Sequence, residues 1–421
     1  MFKIKLSKTI KDIQWSFIAL AVSSFVHLLL RIVLGRELGP SGLGLYTLVF
    51  TIYLFGMQFA AFGIGVALTK YIAEYNDDLQ KIKEFVSSGI AGSLVSGFIL
   101  GILLYSFSLI ISVNFFHNPE MTTLLKITAF CFPFIAMQKV VLGTLNGLRR
   151  MKYFAFINIV QNLSVMGMSI ALVIFLNMGV KGAVFGFVIP TIIVGLFSLI
   201  LVKNYFVTAS KVLSTSLKEI SLFGFYVVLA NSIGMVNTQI DSLLIGHFMN
   251  ETEVGYYAVA IIFMQGIILL PQSVQKVTNP SIATYYGKGD YDGIRRLIKN
   301  SMAKIFVIIL FISAFLATFG KSLINVIFTE EFIPSYAPLL ILLIGYSVYA
   351  TFISIGGCLS SIGKVKIIFK ISLLCAVLNT LLNISLIPEF GLVGAASATS
   401  ISLLFTTLIN IYFVNKYVRR E

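Results

Sequence analysis

Residues 23–46 read SSFVHLLLRIVLGRELGPSGLGLY. The stretch begins as an apolar helix that carries His27 and Arg31, four residues apart and so on one helical face. It breaks at Gly39-Pro40 and restarts at Gly44-Leu45-Tyr46. A charge inside an apolar span is expensive and marks a candidate functional site. The rest of the chain repeats this layout.

Composition sets the environment. Of 421 residues, 58% are hydrophobic and 11% charged, and the mean hydropathy is +0.96. A soluble domain carries about 25% charged residues, so too little charge is present to cover a soluble surface. Apolar runs of ~20 residues recur along the whole length, which fits helices and not the weak alternation of a membrane barrel. The chain therefore reads as an all-α polytopic membrane protein. About twelve transmembrane helices are expected, near residues 15–34, 46–69, 85–107, 124–147, 153–176, 182–202, 220–246, 254–275, 301–320, 337–359, 367–387 and 394–415. The segment 106–117 is open to reading as an amphipathic tail of the third. Residues 15–34 lack a small-residue cleavage pattern and are read as a retained first helix, not a cleaved signal. No room remains for a soluble domain.

The formal net charge of +14 would suggest nucleic acid in a soluble protein. Here most of the basic residues fall in loops on one side of the spans. These are Lys3, Lys5, Lys8 and Lys11; Lys70, Lys81 and Lys83; Arg149, Arg150 and Lys152; and Lys203, Lys211 and Lys218. The second half adds Lys276, Lys288, Arg295, Arg296, Lys299 and Lys304; Lys364, Lys366 and Lys370; and Lys416, Arg419 and Arg420. The opposite loops hold acids, among them Glu120, Glu251, Glu253, Glu330, Glu331 and Glu389. The positive-inside rule places both termini in the cytoplasm, with the chain in the cell membrane and no nucleic-acid partner. The three cysteines form no Cys-x-x-Cys or Cys/His cluster, so neither a disulfide framework, a metal site nor a cofactor is indicated.

The chain also repeats itself. Gly35-Arg36 and Gly44-x-Tyr46 recur 211 residues later as Gly246-His247 and Gly255-x-Tyr257. Gly143-x-Leu145 recurs at 214 as Gly357-x-Leu359, and Gly179-x-x-Gly182-Ala183 at 212 as Gly391-x-x-Gly394-Ala395. Each half holds six spans, an even number, so the two lobes share one orientation. Parallel repeats of this kind are transporter architecture. The expected division is an N-terminal lobe 1–202, a cytoplasmic linker 203–219 and a C-terminal lobe 220–421.

Counting ~1.5 Å per residue gives the depth of each polar side chain. Lys139 lies about midway between Lys126 and Arg149, near the midplane. Gln58, Asn162, Asn231, Gln265 and Asn379 lie similarly deep in their own spans. Each amide serves either an interhelical hydrogen bond or the cargo. A midplane lysine reaches neither interface and needs a cavity, a partner or loss of its charge. Arg31 lies higher, where its stem can also snorkel. His27 is one turn deeper, as a packing residue or part of the site. Asp241, the one acid inside an expected span, falls at the height of Arg31 in the first helix of the second half. The two are read either as a gate pair or as residues with separate local partners. Pro133, Pro190 and Pro271 sit inside expected spans and permit kinks. Trp15 and the pair Tyr256-Tyr257 read as interface anchors. Nucleotide loops and catalytic Ser/His/Asp sets are absent from the sequence, which argues against ATP drive and against an enzyme.

Four motifs carry a family resemblance. Arg31-x-x-Leu34-Gly35-Arg36-x-Leu38-Gly39-Pro40-x-x-x-Gly44-x-Tyr46 resembles the first-helix signature of the polysaccharide (O-antigen type) lipid-linked oligosaccharide flippases. These belong to the multidrug/oligosaccharidyl-lipid/polysaccharide exporter superfamily. Asp241-x-Leu-Leu-Ile-Gly246 with Val254-Gly255-Tyr-Tyr257-Ala258 resembles their seventh-to-eighth junction. Phe328-Thr-Glu-Glu-Phe332-Ile-Pro334 is similar to an outer loop of the family, and Ile387-Pro388 through Thr399 to its eleventh-to-twelfth junction. The resemblance implies two six-helix lobes around a central cavity. It also implies transfer of a polyprenyl phosphate- or diphosphate-linked oligosaccharide across the membrane. A buried cation suits that cargo because it can hold the phosphate. On this reading the cavity residues are Lys139, Arg31, His27, Gln58, Asn162, Asn231, Gln265 and Asn379, and the gate is Arg31 with Asp241. The partners are the lipid-linked oligosaccharide and membrane lipids, with H+ or Na+ as a coupling ion, and the protein acts as a monomer. The two extra helices typical of peptidoglycan-precursor flippases are lacking, which argues against a peptidoglycan role. A cation-coupled multidrug and toxin extrusion antiporter is the alternative, but that reading wants acids in the cavity. A membrane glycosyltransferase or polymerase would show catalytic residues in a large outer loop, and the outer loops here are short.

Overall fold

The structure, a computed structural model, describes residues 8–206 and 210–418. Lys3, Lys5, Arg419 and Arg420 of the basic loops lie outside the described residues, as do 207–209 of the expected linker. The described chain is helical throughout. In order the helices are α1 (Lys8–Ala61), α2 (Ile64–Glu74), α3 (Leu79–Leu109), α4 (Glu120–Ala129), α5 (Phe132–Gly147), α6 (Met151–Ile170) and α7 (Gly179–Ser198). The second half adds α8 (Ser210–Phe248), α9 (Glu251–Gly287), α10 (Tyr291–Ile327), α11 (Tyr336–Ile353), α12 (Cys358–Ser361) and α13 (Val365–Val418).

Nine helices among the described residues are long and apolar enough to cross a membrane, and the bent pair α4–α5 makes a tenth. Two of the nine cannot be single spans. α1 and α13 have 54 residues each, which would make rods of ~80 Å against a hydrocarbon core of ~30 Å. Both break at a glycine in the left-handed region, Gly39 (φ 66°) and Gly391 (φ 56°), a conformation that other residues adopt only at a cost. Pro40 follows Gly39 at the start of the next helix, where its missing N–H is no loss. Splitting both gives twelve spans, six in each half of the chain. The segment 106–117 is no separate amphipathic tail: α3 continues through a π-helical stretch to Phe115.

The repeat is visible in the backbone. Gly179 and Gly391 both have φ of 56°, and Arg149 (φ 53°) and Gly363 (φ 78°), 214 residues apart, both end a helix in the left-handed region. The prolines act less than expected. Pro133 falls in the first turn of α5, after a 43° bend from α4. α7 and α9 continue as single helices through Pro190 and through Pro271 and Pro280.

By packing, the chain forms two compact units. Unit 1 contains residues 1–38 and 45–232, and unit 2 residues 39–44 and 233–421. At the basic end of unit 1, Ile64, Leu68, Ile72, Phe85, Val140 and Ile220 form an apolar core. The corresponding core of unit 2 joins Ile282, Ile294, Leu359, Ile371 and Val414.

Candidate functional site

Two glycines set the position of Lys139 on α5. A Cβ on Gly65 would lie 2.5 Å from the Lys139 carbonyl oxygen, and one on Gly143 would lie 2.1 Å from the Gly65 carbonyl oxygen. Only glycine lets α2 and α5 approach so closely, the usual way membrane helices pack. Thr69 Oγ1 donates across the crossing to the Gly143 carbonyl (3.2 Å) and, within α2, to the Gly65 carbonyl (3.0 Å). Beside it lies a cavity of about 310 Å³, within unit 1, whose polar lining is Gln58, Thr69, Lys139, Asn146, Asn158 and Asn231. The ion pairs among the described residues, Lys70–Glu74, Arg149–Asp12 and Arg295–Asp292, leave Lys139 out. A cation with amide and hydroxyl neighbours and no carboxylate is suited to an anion that arrives from outside the fold.

Of the expected cavity residues, the structure brings Lys139, Gln58 and Asn231 together here. Asn162 is used for packing: its Nδ2 donates to Ser23 Oγ (2.6 Å) and to the Asn158 carbonyl (2.7 Å). Asn162 thereby ties α6 to α1, whereas His27 Nδ1 donates to the Ser23 carbonyl one turn back in its own helix at 2.9 Å. Arg31 is half-buried within electrostatic reach of Tyr46. Gln265 is exposed on α9. Asn146, Asn158 and Thr69 are cavity residues that depth counting missed. Asn158 had a signal, since it lies one helical turn before Asn162.

Asn379 belongs to a second polar cluster, in unit 2. Asp241 is 5% exposed and both of its carboxylate oxygens are engaged. Oδ2 accepts from Tyr257 Oη (2.9 Å) and Thr399 Oγ1 (2.7 Å), and Oδ1 from Asn383 Nδ2 (2.7 Å). Asn383 Nδ2 also donates to the Asn379 carbonyl at 2.9 Å. The side-chain oxygens of Asn379 and Asn383 are buried with no hydrogen-bond partner. Buried acceptors of this kind are rarely left unmatched. Tyr257, expected as an interface anchor, is instead 1% exposed and spends its hydroxyl on Asp241.

The repeat sharpens the contrast between the units. Tyr46 matches Tyr257 and Phe187 matches Thr399 at offsets of 211 and 212. In unit 1 the Tyr46 ring packs edge-on against Phe187 at 6.2 Å, where unit 2 has its carboxylate cluster. The units thus differ in chemistry: unit 1 carries on α5 a lysine outside the ion pairs of the described residues, and unit 2 carries on α8 a buried aspartate with spare amide oxygens, at positions that the repeat does not pair.

Comparison with known proteins follows the same lines. A family model described as "Polysaccharide biosynthesis protein" matches residues 9–285, and a second, MatE, residues 227–385. The chain is 23% identical over 412 residues to the "Probable flippase AglR" of Haloferax volcanii, covering 96% of this chain and 83% of the relative. It is 22% identical over 413 residues to a "Putative O-antigen transporter" of Shigella flexneri, covering 95% and 96%. In fold it is similar to the lipid II flippase MurJ in an inward closed conformation, with a TM-score of 0.79 at 19% identity over 96% of this chain and 87% of the other. With the family model matching well over half its length, the chain belongs to the polysaccharide biosynthesis protein family.

Proposed function

We propose that the protein is a flippase that carries a polyprenyl phosphate- or diphosphate-linked oligosaccharide across the cytoplasmic membrane by alternating access, supplying cell-surface polysaccharide or glycan synthesis. The observation that carries this reading is Lys139, a deep cation without a carboxylate partner among the described residues, in a cavity lined by amides. The ammonium binds the phosphate, and Gln58, Asn146, Asn158 and Asn231 offer both donors and acceptors to sugar hydroxyls. The names of the relatives, a probable flippase and a putative O-antigen transporter, support the same cargo class. Both termini are cytoplasmic, the lobes are 1–202 and 220–421 joined by 203–219, and the chain works as a monomer without covalent catalysis. Arg31 serves at the gate.

Asp241 is the proposed site of the coupling ion. A carboxylate with two unmatched amide oxygens nearby offers oxygen ligands to a small monovalent cation or a resting place for a proton. The test is a flipping assay in reconstituted vesicles with a lipid-linked oligosaccharide, with and without Na+ and proton gradients. Transport that depends on one gradient, and loses that dependence in Asp241→Asn, is the expected result. Equal transport in all gradients by the wild type removes the coupling role of Asp241. No movement of any lipid-linked sugar, together with export of organic cations, would instead favour the antiporter reading that the MatE match to residues 227–385 raises.

A further inference from the structure

Unit 1 holds a second cavity of a different character, on α3 and the α4–α5 bend. It has a volume of about 450 Å³ and is lined by Phe98, Gly101, Ile102, Tyr105, Phe130 and Pro133 among others. The sequence makes it in two steps. Gly97 and Gly101 let α3 press against the next span: a Cβ on Gly97 would lie 2.6 Å from Pro133 Cα, and one on Gly101 2.9 Å from the Ala129 carbonyl oxygen. The α4–α5 pair then bends by 43°, which opens a notch beside that contact. The walls of the notch remain open, with Ile102 64%, Phe130 61% and Phe98 54% exposed. On its flanks α3 shows Val95, Ile99, Leu103 and Leu109, an apolar exterior suited to lipid chains.

One end of the crevice differs. Tyr105 meets Phe130 edge-on at 6.1 Å, and the Lys126 ammonium stands over the Tyr105 ring, 5.4 Å from its centroid. Lys126 takes part in none of the ion pairs among the described residues. It is also one of the few basic residues at the end of the spans opposite the basic loops. An apolar slot with a half-buried cation at its mouth matches a molecule with an apolar chain and an anionic head.

We propose that this crevice is a binding site for an anionic phospholipid of the surrounding bilayer, its acyl chain in the slot between α3 and α5 and its phosphate on Lys126. The occupant is a resident lipid and not the cargo, because the walls carry no amide side chain and only the hydroxyls of Tyr105 and Ser106, where the Lys139 cavity offers four amides to a glycan. Chain burial supplies most of the affinity and Lys126 the choice of head group. The site is independent of the flippase reading.

Native mass spectrometry of the detergent-purified full chain, with equal amounts of phosphatidylglycerol and phosphatidylcholine, tests it. The wild type is expected to keep phosphatidylglycerol preferentially as its tightest lipid adduct. Lys126→Gln should cut that preference about fivefold, the worth of one lysine against an anionic head, and Lys126→Arg should restore it. Ile102→Trp, at an exposed position, should fill the slot and remove the adduct of either lipid while the thermal unfolding curve is unchanged. The proposal is overturned if Lys126→Gln keeps the full preference or if Ile102→Trp keeps the adduct. Displacement by glycerol phosphate, which lacks the chain, would make it an anion site only. Displacement by equimolar polyprenyl phosphate would assign it to the cargo.

Discussion

Replacing Lys139 by methionine is expected to reduce transport of lipid-linked oligosaccharide at least about tenfold, while the protein unfolds at the same or a higher temperature. The two halves of this result have one cause. A charge-assisted hydrogen bond to phosphate is worth about 1.5–3 kcal/mol, so losing it costs ~10–100-fold in binding. The same ammonium is a burden to the fold, because a cation deep in a membrane protein without a carboxylate neighbour is held against its hydration. Methionine keeps the length and the apolar stem and removes that burden. A structural lysine would give the reverse outcome, with lower stability and transport reduced only as far as folded protein is lost. Initial flipping rates in vesicles, normalised to folded protein, together with unfolding curves, separate the two. Lys139→Arg keeps the charge and should retain more transport than methionine. Full activity in Lys139→Met would remove the anion-binding role.

Much of this site was legible in the sequence, and the reason is depth. A span of known length fixes the height of each residue, so Lys139, Gln58 and Asn231 could be assigned to one layer before any packing was known. Height does not fix the face of the helix. Asn162 and Gln265 lie at the same level but are respectively tied to Ser23 and exposed on α9, and nothing in the spacing of single polar residues tells these fates apart. Long-range clusters were hidden for a related reason. Asn383 and Thr399 reach Asp241 from 142 and 158 residues away in the chain, and both look like ordinary polar residues of an apolar helix. The breaks were uneven. Gly39-Pro40 announces itself, because glycine supplies the positive φ and proline starts the next helix. The bend at Phe130–Cys131 has only Pro133 as a signal, and that proline proves to be part of the helix start after the bend. The repeat was the most informative pattern, since it paired Gly179 with Gly391, which share a left-handed φ, and Gly44 with Gly255.

The repeat also carries the second large effect: alanine at Gly44 is expected to lower the unfolding temperature by several degrees and to reduce the yield of folded protein. Within unit 2, the segment 39–44 crosses the start of α9, and the contact is reciprocal. A Cβ on Gly44 would lie 1.7 Å from the Glu251 carbonyl oxygen, and one on Gly255 would lie 2.0 Å from the Pro40 carbonyl oxygen. Pro40 and Glu251 are 211 residues apart, as are Gly44 and Gly255. Each glycine therefore sits one turn beyond the carbonyl that the other one covers, and Ser41 Oγ donates to Glu251 Oε1 across the crossing at 3.4 Å. Both obstructing atoms are backbone, so no side chain can swing away, and the helices must separate. Overpacking of this kind costs ~1–3 kcal/mol or more. Gly255→Ala should cost a similar amount, and the double variant less than the sum, because one separation relieves both contacts. Gly167→Ala is the control: no atom lies within 4 Å of its Cβ position in α6, and a helical alanine in place of glycine should be neutral or stabilising by up to about 1 kcal/mol. Thermal unfolding of the four variants in detergent decides the matter. If Gly44→Ala unfolds with the wild type, the crossing is not the close backbone contact described; if the double variant is fully additive, the two glycines do not share one separation.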